Sequence, residues 1–173
     1  MKSTSSATPR TTTDMPKLTY DRLKELLIYD PETGVFTWRI CRRGTRAGSV
    51  AGRLDKHGYR EICLDGKVYF ASRLAFFYMK GVWPVHQIDH KNVTPGDDRW
   101  ENLREATQEQ NSGNKRTRRD TLLGVKGVKR NPKGGRYLAR FRDKYLGSFD
   151  SIEEASEAYR LASEAAYGEF SRV

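Results

Sequence analysis

Hydrophobic positions are nearly absent from the first sixteen residues, "MKSTSSATPRTTTDMP", a Ser-, Thr- and Pro-rich stretch that predicts a disordered tail. From Thr19, an N-cap residue type, Leu23, Leu26 and Leu27 recur at helical spacing until "DPETG", predicting a helix of about two to three turns. The pattern then changes period. "VFTWRI" alternates as a strand does, and "YREICLDGKVYF" sets Asp65-Gly66 between two strand-like runs as a hairpin turn. "SRLAFFYMK", residues 72 to 80, is apolar enough for a packed helix stopped at Gly81.

Beyond it, "QIDHKNVTPGDDRWENLREATQEQNSGNK" reads as strand, loop, strand and helix. Asp89 and His90 end the first strand and Asn102 opens the second. Thr107 and Gln110 form a T-x-x-Q capping box, so the helix begins near Gln108 and carries Asn111 in its first turn. "SGNKRTRRDTLLG" is small, polar and basic, which predicts a linker. Three short strand candidates follow, within "GVKGVKRN", "RYLARFRD" and "KYLGSF". A helix then opens on Ser151 and Glu154, with Ile152, Ala155, Ala158, Tyr159, Ala162 and Ala165 along one face. The whole predicts an α+β chain: a tail (1–16), a first domain with a small antiparallel sheet (17–111), a basic linker (112–123), and a domain of three antiparallel strands packed on one helix (124–173).

Charge adds a partner to this picture. Lys and Arg number 32 against 22 Asp and Glu, a net charge of +10, which favours a polyanion. The excess is segregated: residues 115 to 145 hold 12 basic residues against Asp120 and Asp143, while residues 151 to 170 hold five Glu against Arg160. With Tyr137, Phe141 and Tyr145 interleaved, the basic strands predict a nucleic-acid face and the helix its back. Its basic members are Lys126, Lys129, Arg130, Arg136, Arg140 and Arg142, and the linker adds Lys115, Arg116, Arg118 and Arg119 along the backbone. No run approaches a membrane span and no signal-peptide core follows the N-terminus, so the expectation is a soluble, cytoplasmic protein with no membrane role. Cys41 and Cys63 belong to no C-x-x-C pair, which predicts buried free thiols, no disulfide framework and no structural zinc.

The polar segment carries the chemistry. His90 is a base type that is substantially neutral near pH 7, and Asp89 beside it offers the hard anionic oxygen that Mg2+ prefers. Asn102, twelve residues on, and Asn111, nine further, offer amide oxygens that can hold an imidazole in one tautomer or face an oxygen-liking cation. One base and one divalent cation meet the needs of phosphodiester hydrolysis: a deprotonated water, a stabilised phosphorane and a neutralised leaving oxygen.

Ile88-Asp89-His90, then Glu101-Asn102-Leu103-Arg104, then Gln110-Asn111 resemble an HNH endonuclease of the phage homing type, a ββα-metal nuclease, over roughly residues 17 to 115. The resemblance implies Asp89 and Asn111 as ligands of one Mg2+ or Mn2+, His90 as general base, and Asn102 as the residue orienting His90. Asp97, Asp98 and Arg99 resemble the family's Asp-Asn-Arg and are expected to fix the loop. Ser72 stands where relatives tend to have His, and it supports the alternative of a DNA-binding or regulatory protein that retains the nuclease scaffold without cutting. Residues 124 to 170 resemble the Apetala-two or ethylene-response-factor DNA-binding domain, through "GVKGVKRNPKGGRYLARFRD" and "YLGSFDSIEEASEAYRLASEAAYGEF". That likeness implies a sheet in the major groove, with Lys126, Lys129, Arg140, Arg142 and Tyr145 facing double-stranded DNA. Lys126 and Lys129 replace the usual Arg and lack its bidentate fork, so more phosphate grip and looser base readout are expected. Together the two resemblances imply a metal-dependent DNA endonuclease acting as a monomer on DNA.

Overall fold

The computed structural model describes residues 18–42, 44–115 and 123–172. The predicted N-terminal tail therefore lies outside the described residues, as do linker residues Arg116, Arg118 and Arg119. Among the described residues the fold is α+β, with four small antiparallel sheets and four α-helices.

Helix α1 (Tyr20–Leu26) is capped by Thr19, whose hydroxyl accepts from the Arg22 amide. It is shorter than the leucine spacing predicts. Leu27 leaves it as the first residue of β1 (Leu27–Tyr29), which pairs with β2 (Phe36–Trp38), so Leu27 and Tyr29 face the core as alternate strand positions. Strands β3 (Arg53–Leu54), β4 (Arg60–Leu64) and β5 (Lys67–Phe70) form the second sheet. Asp65 and Gly66 both take positive φ, 45° and 81°, as a two-residue hairpin of matching twist requires. Helix α2 (Ala71–Lys80) ends on Gly81 in the left-handed conformation and buries Ala71, Ser72, Leu74, Ala75 and Phe77. Ala71, Leu74, Ala75 and Phe77 share one core with Leu23, Leu26, Leu27, Phe36, Ile62 and Leu103.

β6 (Gln87–His90) and β7 (Leu103–Ala106) pair with Asp89 opposite Arg104 and His90 opposite Leu103. Helix α3 (Gln108–Asn114) has the predicted capping box, with both reciprocal bonds between Thr107 and Gln110 made. It continues three residues past Asn111. "SGN", read as linker from its composition, is helical because Gly113 and Asn114 are buried by tertiary contacts.

The C-terminal sheet runs β10-β9-β8, with β8 (Val128–Arg130), β9 (Tyr137–Phe141) and β10 (Lys144–Phe149). Helix α4 (Ile152–Tyr167) packs behind it, with Val128, Ala139 and Ala155 at the centre of a second core. Ser151 caps α4, but Glu154 reaches back to the Asp150 amide rather than to Ser151. Ala165 is exposed, and Ser163 is buried instead because its hydroxyl accepts from Ser171 in the closing turn, Gly168–Phe170 and beyond. Cys41 and Cys63 are free but exposed; Cys63 lies on the outward side of β4, between inward-facing Ile62 and Leu64. None of the described helices is long and apolar enough to cross a membrane.

Candidate functional site

The β6–β7 pair brings Asp89 and His90 to the end of a strand, where both are buried. His90 Nε2 lies 2.9 Å from Asp98 Oδ1, and the two side chains are 6% and 2% exposed. An ionised carboxylate can only accept there, so in the neutral ring the tautomer that makes this bond carries its proton on Nε2 and its lone pair on Nδ1. The ring's direct partner is therefore Asp98, where the resemblance implies Asn102. Asn102 sits one step removed. Its Nδ2 donates to the Asp97 carbonyl at 2.7 Å and to Asn92 Oδ1 at 3.1 Å, while its Oδ1 accepts from the Asn92 amide at 3.0 Å. Asn102 thus fixes the peptide that precedes Asp98 and orients His90 only through it.

The loop bearing Asp98 is braced from the opposite side by the β1–β2 turn. Tyr29 donates its hydroxyl proton to the Asp98 carbonyl at 2.6 Å, and burial pushes the phenol above its usual range. The Trp100 amide donates to Pro31, and Gly34, at φ 73°, lies so close that a Cβ there would come within 2.4 Å of the Arg99 amide nitrogen. Arg99 grips Asp97 through two bonds of 2.7 Å and holds its carboxyl down at about 2, with Asn92 contributing a further bond. Asp98 Oδ2 is buried without a partner among the described residues.

Asp89 accepts from Arg104 Nε at 2.9 Å and from Asn114 Nδ2, which is 3.0 Å from each carboxylate oxygen. Asn114 also donates to the His90 carbonyl at 2.8 Å. These two donors were not read from the sequence. Arg104 could have been sought as the cross-strand neighbour of Asp89, but Asn114 lies in a stretch whose composition resembles a linker.

Asn111 donates through Nδ2 to Gln87 Oε1 at 2.7 Å, leaving its Oδ1 without a hydrogen bond among the described residues. The donor set fits a hard divalent cation, since Asp89 retains free lone pairs beyond its bound N–H groups and Asn111 offers an amide oxygen, with no thiol nearby. No cluster of three or more His, Cys, Asp or Glu capable of holding a metal occurs among the described residues, so such an ion would keep waters or substrate oxygens as its other ligands. His57 and His86 are both exposed, away from these bonds.

On the C-terminal sheet, strand alternation divides the predicted DNA-facing residues. Val128, Ala139 and Phe141 are buried towards α4, so Lys129, Leu138 and Arg140 face outward, joined by Tyr145, which pairs with Arg140 and is 55% exposed. Arg130 is exposed opposite Tyr137. Arg136 is tied at the edge to Asp150 and to the Ser148 carbonyl.

Lys126 and Arg142, which the resemblance implies as DNA-facing, have partners within the protein. The Lys126 ammonium donates to the carbonyls of Gly113 and Arg172, and its burial lowers its pKa. Arg142, in the β9–β10 turn at φ 53°, directs its guanidinium to the Tyr167 hydroxyl and to Glu109. Both side chains reach towards the junction between α3 and α4, and Arg142 stays exposed. Lys115 is exposed just past α3.

Residues 69–112 match the model of a family described as HNH endonuclease. The chain is 26% identical, over 98% of its length and 96% of the relative's, to an uncharacterized HNH endonuclease of Acanthamoeba polyphaga mimivirus. A solved structure titled "DNA binding and cleavage by the HNH homing endonuclease I-HmuI" aligns at 21% identity with a TM-score of 0.41, covering 55% of this chain and 54% of that one. The family model ends within α3, two residues before Asn114, so it spans Asp89, His90, Asn102 and Asn111 and stops short of the basic sheet.

Proposed function

We propose that the protein is a metal-dependent DNA endonuclease of the homing type that hydrolyses phosphodiester bonds at sites selected by its basic C-terminal sheet. The observation that carries this reading is the buried His90–Asp98 pair beside Asp89, inside the segment that matches HNH endonucleases.

His90 is the general base. Asp98 holds the Nε2 proton, so Nδ1 receives the proton from the attacking water, and the imidazolium that forms is stabilised by the same carboxylate. Asp89 and the Oδ1 of Asn111 would hold one Mg2+ or Mn2+, which would supply charge neutralisation for the phosphorane and for the leaving 3' oxygen. Asn102 keeps the Asp98 loop in place, and Asn114 and Arg104 hold the Asp89 carboxylate in one orientation.

Lys129, Arg140 and Tyr145 place two cations and an aromatic ring on one exposed sheet face, in keeping with the Apetala-two resemblance and with docking in a major groove wide enough for β-strands. Lys129 grips phosphate as a point charge, while Arg140 can read a base edge bidentately. The partner is double-stranded DNA. One centre in a monomer cuts one strand at a time, so nicks precede double-strand breaks.

Supercoiled DNA incubated with the full chain should be nicked in Mg2+ or Mn2+ and left intact in EDTA. DNA binding without nicking in either cation would replace this reading with that of a DNA-binding protein on a nuclease scaffold.

A further inference from the structure

The C-terminal turn reaches the candidate nuclease centre by two independent routes. Arg104, whose Nε donates to Asp89, donates from its far side to the Glu169 carbonyl at 2.9 Å, and its guanidinium lies 3.8 Å from the centre of the Phe170 ring. The Arg104 side chain is only 12% exposed, so these three contacts define its position. The second route passes through α3. A Cβ on Gly113 would lie 2.7 Å from the Tyr167 ring, and the Gly113 carbonyl accepts from the Arg172 amide and from Lys126. The residue after Gly113 is Asn114, which holds both oxygens of Asp89 and the carbonyl of His90.

A planar guanidinium sandwiched between a carboxylate, a carbonyl and an aromatic face has little rotamer freedom. Phe170 is itself buried, and Ser171 is pinned to Ser163 of α4 at 2.8 Å. Helix α4 is the back of the basic sheet, so the unit that faces DNA also contributes to the setting of Asp89.

We propose that Arg104 is a positioning residue for Asp89 and that the turn formed by residues 168–172 completes the centre by holding Arg104 in place. The nuclease module is then geometrically finished only when the sheet-bearing unit is docked on it. The positioning statement rests on the endonuclease reading above, whereas the structural coupling between the turn and Asp89 does not.

The test uses Phe170→Ala and Phe170→Leu in the full chain. Leu keeps most of the apolar fill and loses the ring face, so it remains informative if the Ala variant fails to fold. Amide exchange is followed without metal or DNA in peptides covering 87–90 and 103–114. Exchange in these segments should rise in both variants by about 2- to 30-fold, the equilibrium equivalent of one lost cation–π contact. In single-turnover nicking at saturating Mg2+, the maximal rate should fall by a similar factor while the half-saturating DNA concentration stays unchanged. Arg104→Lys, which keeps the charge, should retain more of the rate than Arg104→Gln.

Faster exchange confined to 163–172, with 87–90 unaltered, would overturn the proposal. If the wild-type protein does not nick DNA, the endonuclease reading fails and the exchange result still decides whether the turn sets Asp89.

Discussion

Asp98→Asn removes the charge opposite His90 while keeping the side chain's shape. The bond it alters is 2.9 Å long between groups that are almost completely buried. A hydrogen bond to a charged partner contributes about 1.5–3 kcal/mol and a neutral one about 0.5–1.5, so roughly 1–2 kcal/mol is lost where the imidazolium forms. That is a fall of about 5- to 30-fold in the single-turnover rate, and more if the amide rotates to donate and the ring adopts the opposite tautomer. Stability should change little, because Asp98 Oδ2 already lacks a partner among the described residues and an amide NH2 there stays equally unpaired. Asp98→Ala differs: it strands the buried Nε2–H, costing about 1–3 kcal/mol, or roughly 2–12 °C in Tm. The assay is nicking of supercoiled DNA with protein in excess, alongside thermal unfolding of both variants. Nicking by Asp98→Asn at the wild-type rate would refute the assignment of Asp98 as the group that holds and polarises His90.

Other consequences follow from the same loop and from the sheet. Tyr29→Phe removes the 2.6 Å bond to the Asp98 carbonyl and should cost about 1–3 kcal/mol in urea unfolding, with a lowered nicking rate as the loop relaxes. Gly34→Ala meets backbone at 2.4 Å from a left-handed φ and should lower Tm more than Tyr29→Phe does. The Asp97 carboxyl, at about 2 in the folded chain against an ordinary 3.8, is a depressed acid, so its contribution is present above pH 3.8 and lost as pH falls through about 2. The stability gap between wild type and Asp97→Asn should therefore shrink between pH 4 and pH 2, from at most ~2 kcal/mol given the half-exposed Arg99 partner. DNA affinity should fall by about 10³- to 10⁵-fold between roughly 50 and 200 mM salt if about six to ten phosphates are contacted. Lys129→Ala should reduce the salt slope by about one. Lys126→Ala should leave the slope unchanged, because its ammonium is committed to carbonyls.

Local signals in the sequence translated directly into structure. Asp65-Gly66, the Thr107–Gln110 box, Gly81 after α2 and Ser151 before α4 each act through bonds or φ values within a few residues, and each stands where its type predicts. The helical spacing of Leu23, Leu26 and Leu27 was ambiguous because Leu27 satisfies a strand's alternation equally well, and pairing with Trp38 decides it. Asp89 and His90 were legible as chemistry, whereas their partners were not. Asp98 reaches His90 across an irregular loop braced by Tyr29, 69 residues earlier in the chain. The β6–β7 register places Arg104 opposite Asp89, but the contacts that hold Arg104 and Asn114 in place come from the closing turn at 168–172, which no window around Asp89 contains. Lys126 and Arg142 look identical in composition to Lys129 and Arg140, and only the docking of α4 on α3 gives them their partners at Gly113, Arg172, Tyr167 and Glu109.

The assignment of His90 as the base of a DNA-cutting centre is tested most directly at that residue. His90→Ala and wild type should be compared at protein concentrations that bind all of a supercoiled substrate in Mg2+, scoring nicks over a single turnover. Equal DNA binding and a loss of nicking of about 10²- to 10⁴-fold are expected in the variant. Nicking by His90→Ala at the wild-type rate would contradict the assignment.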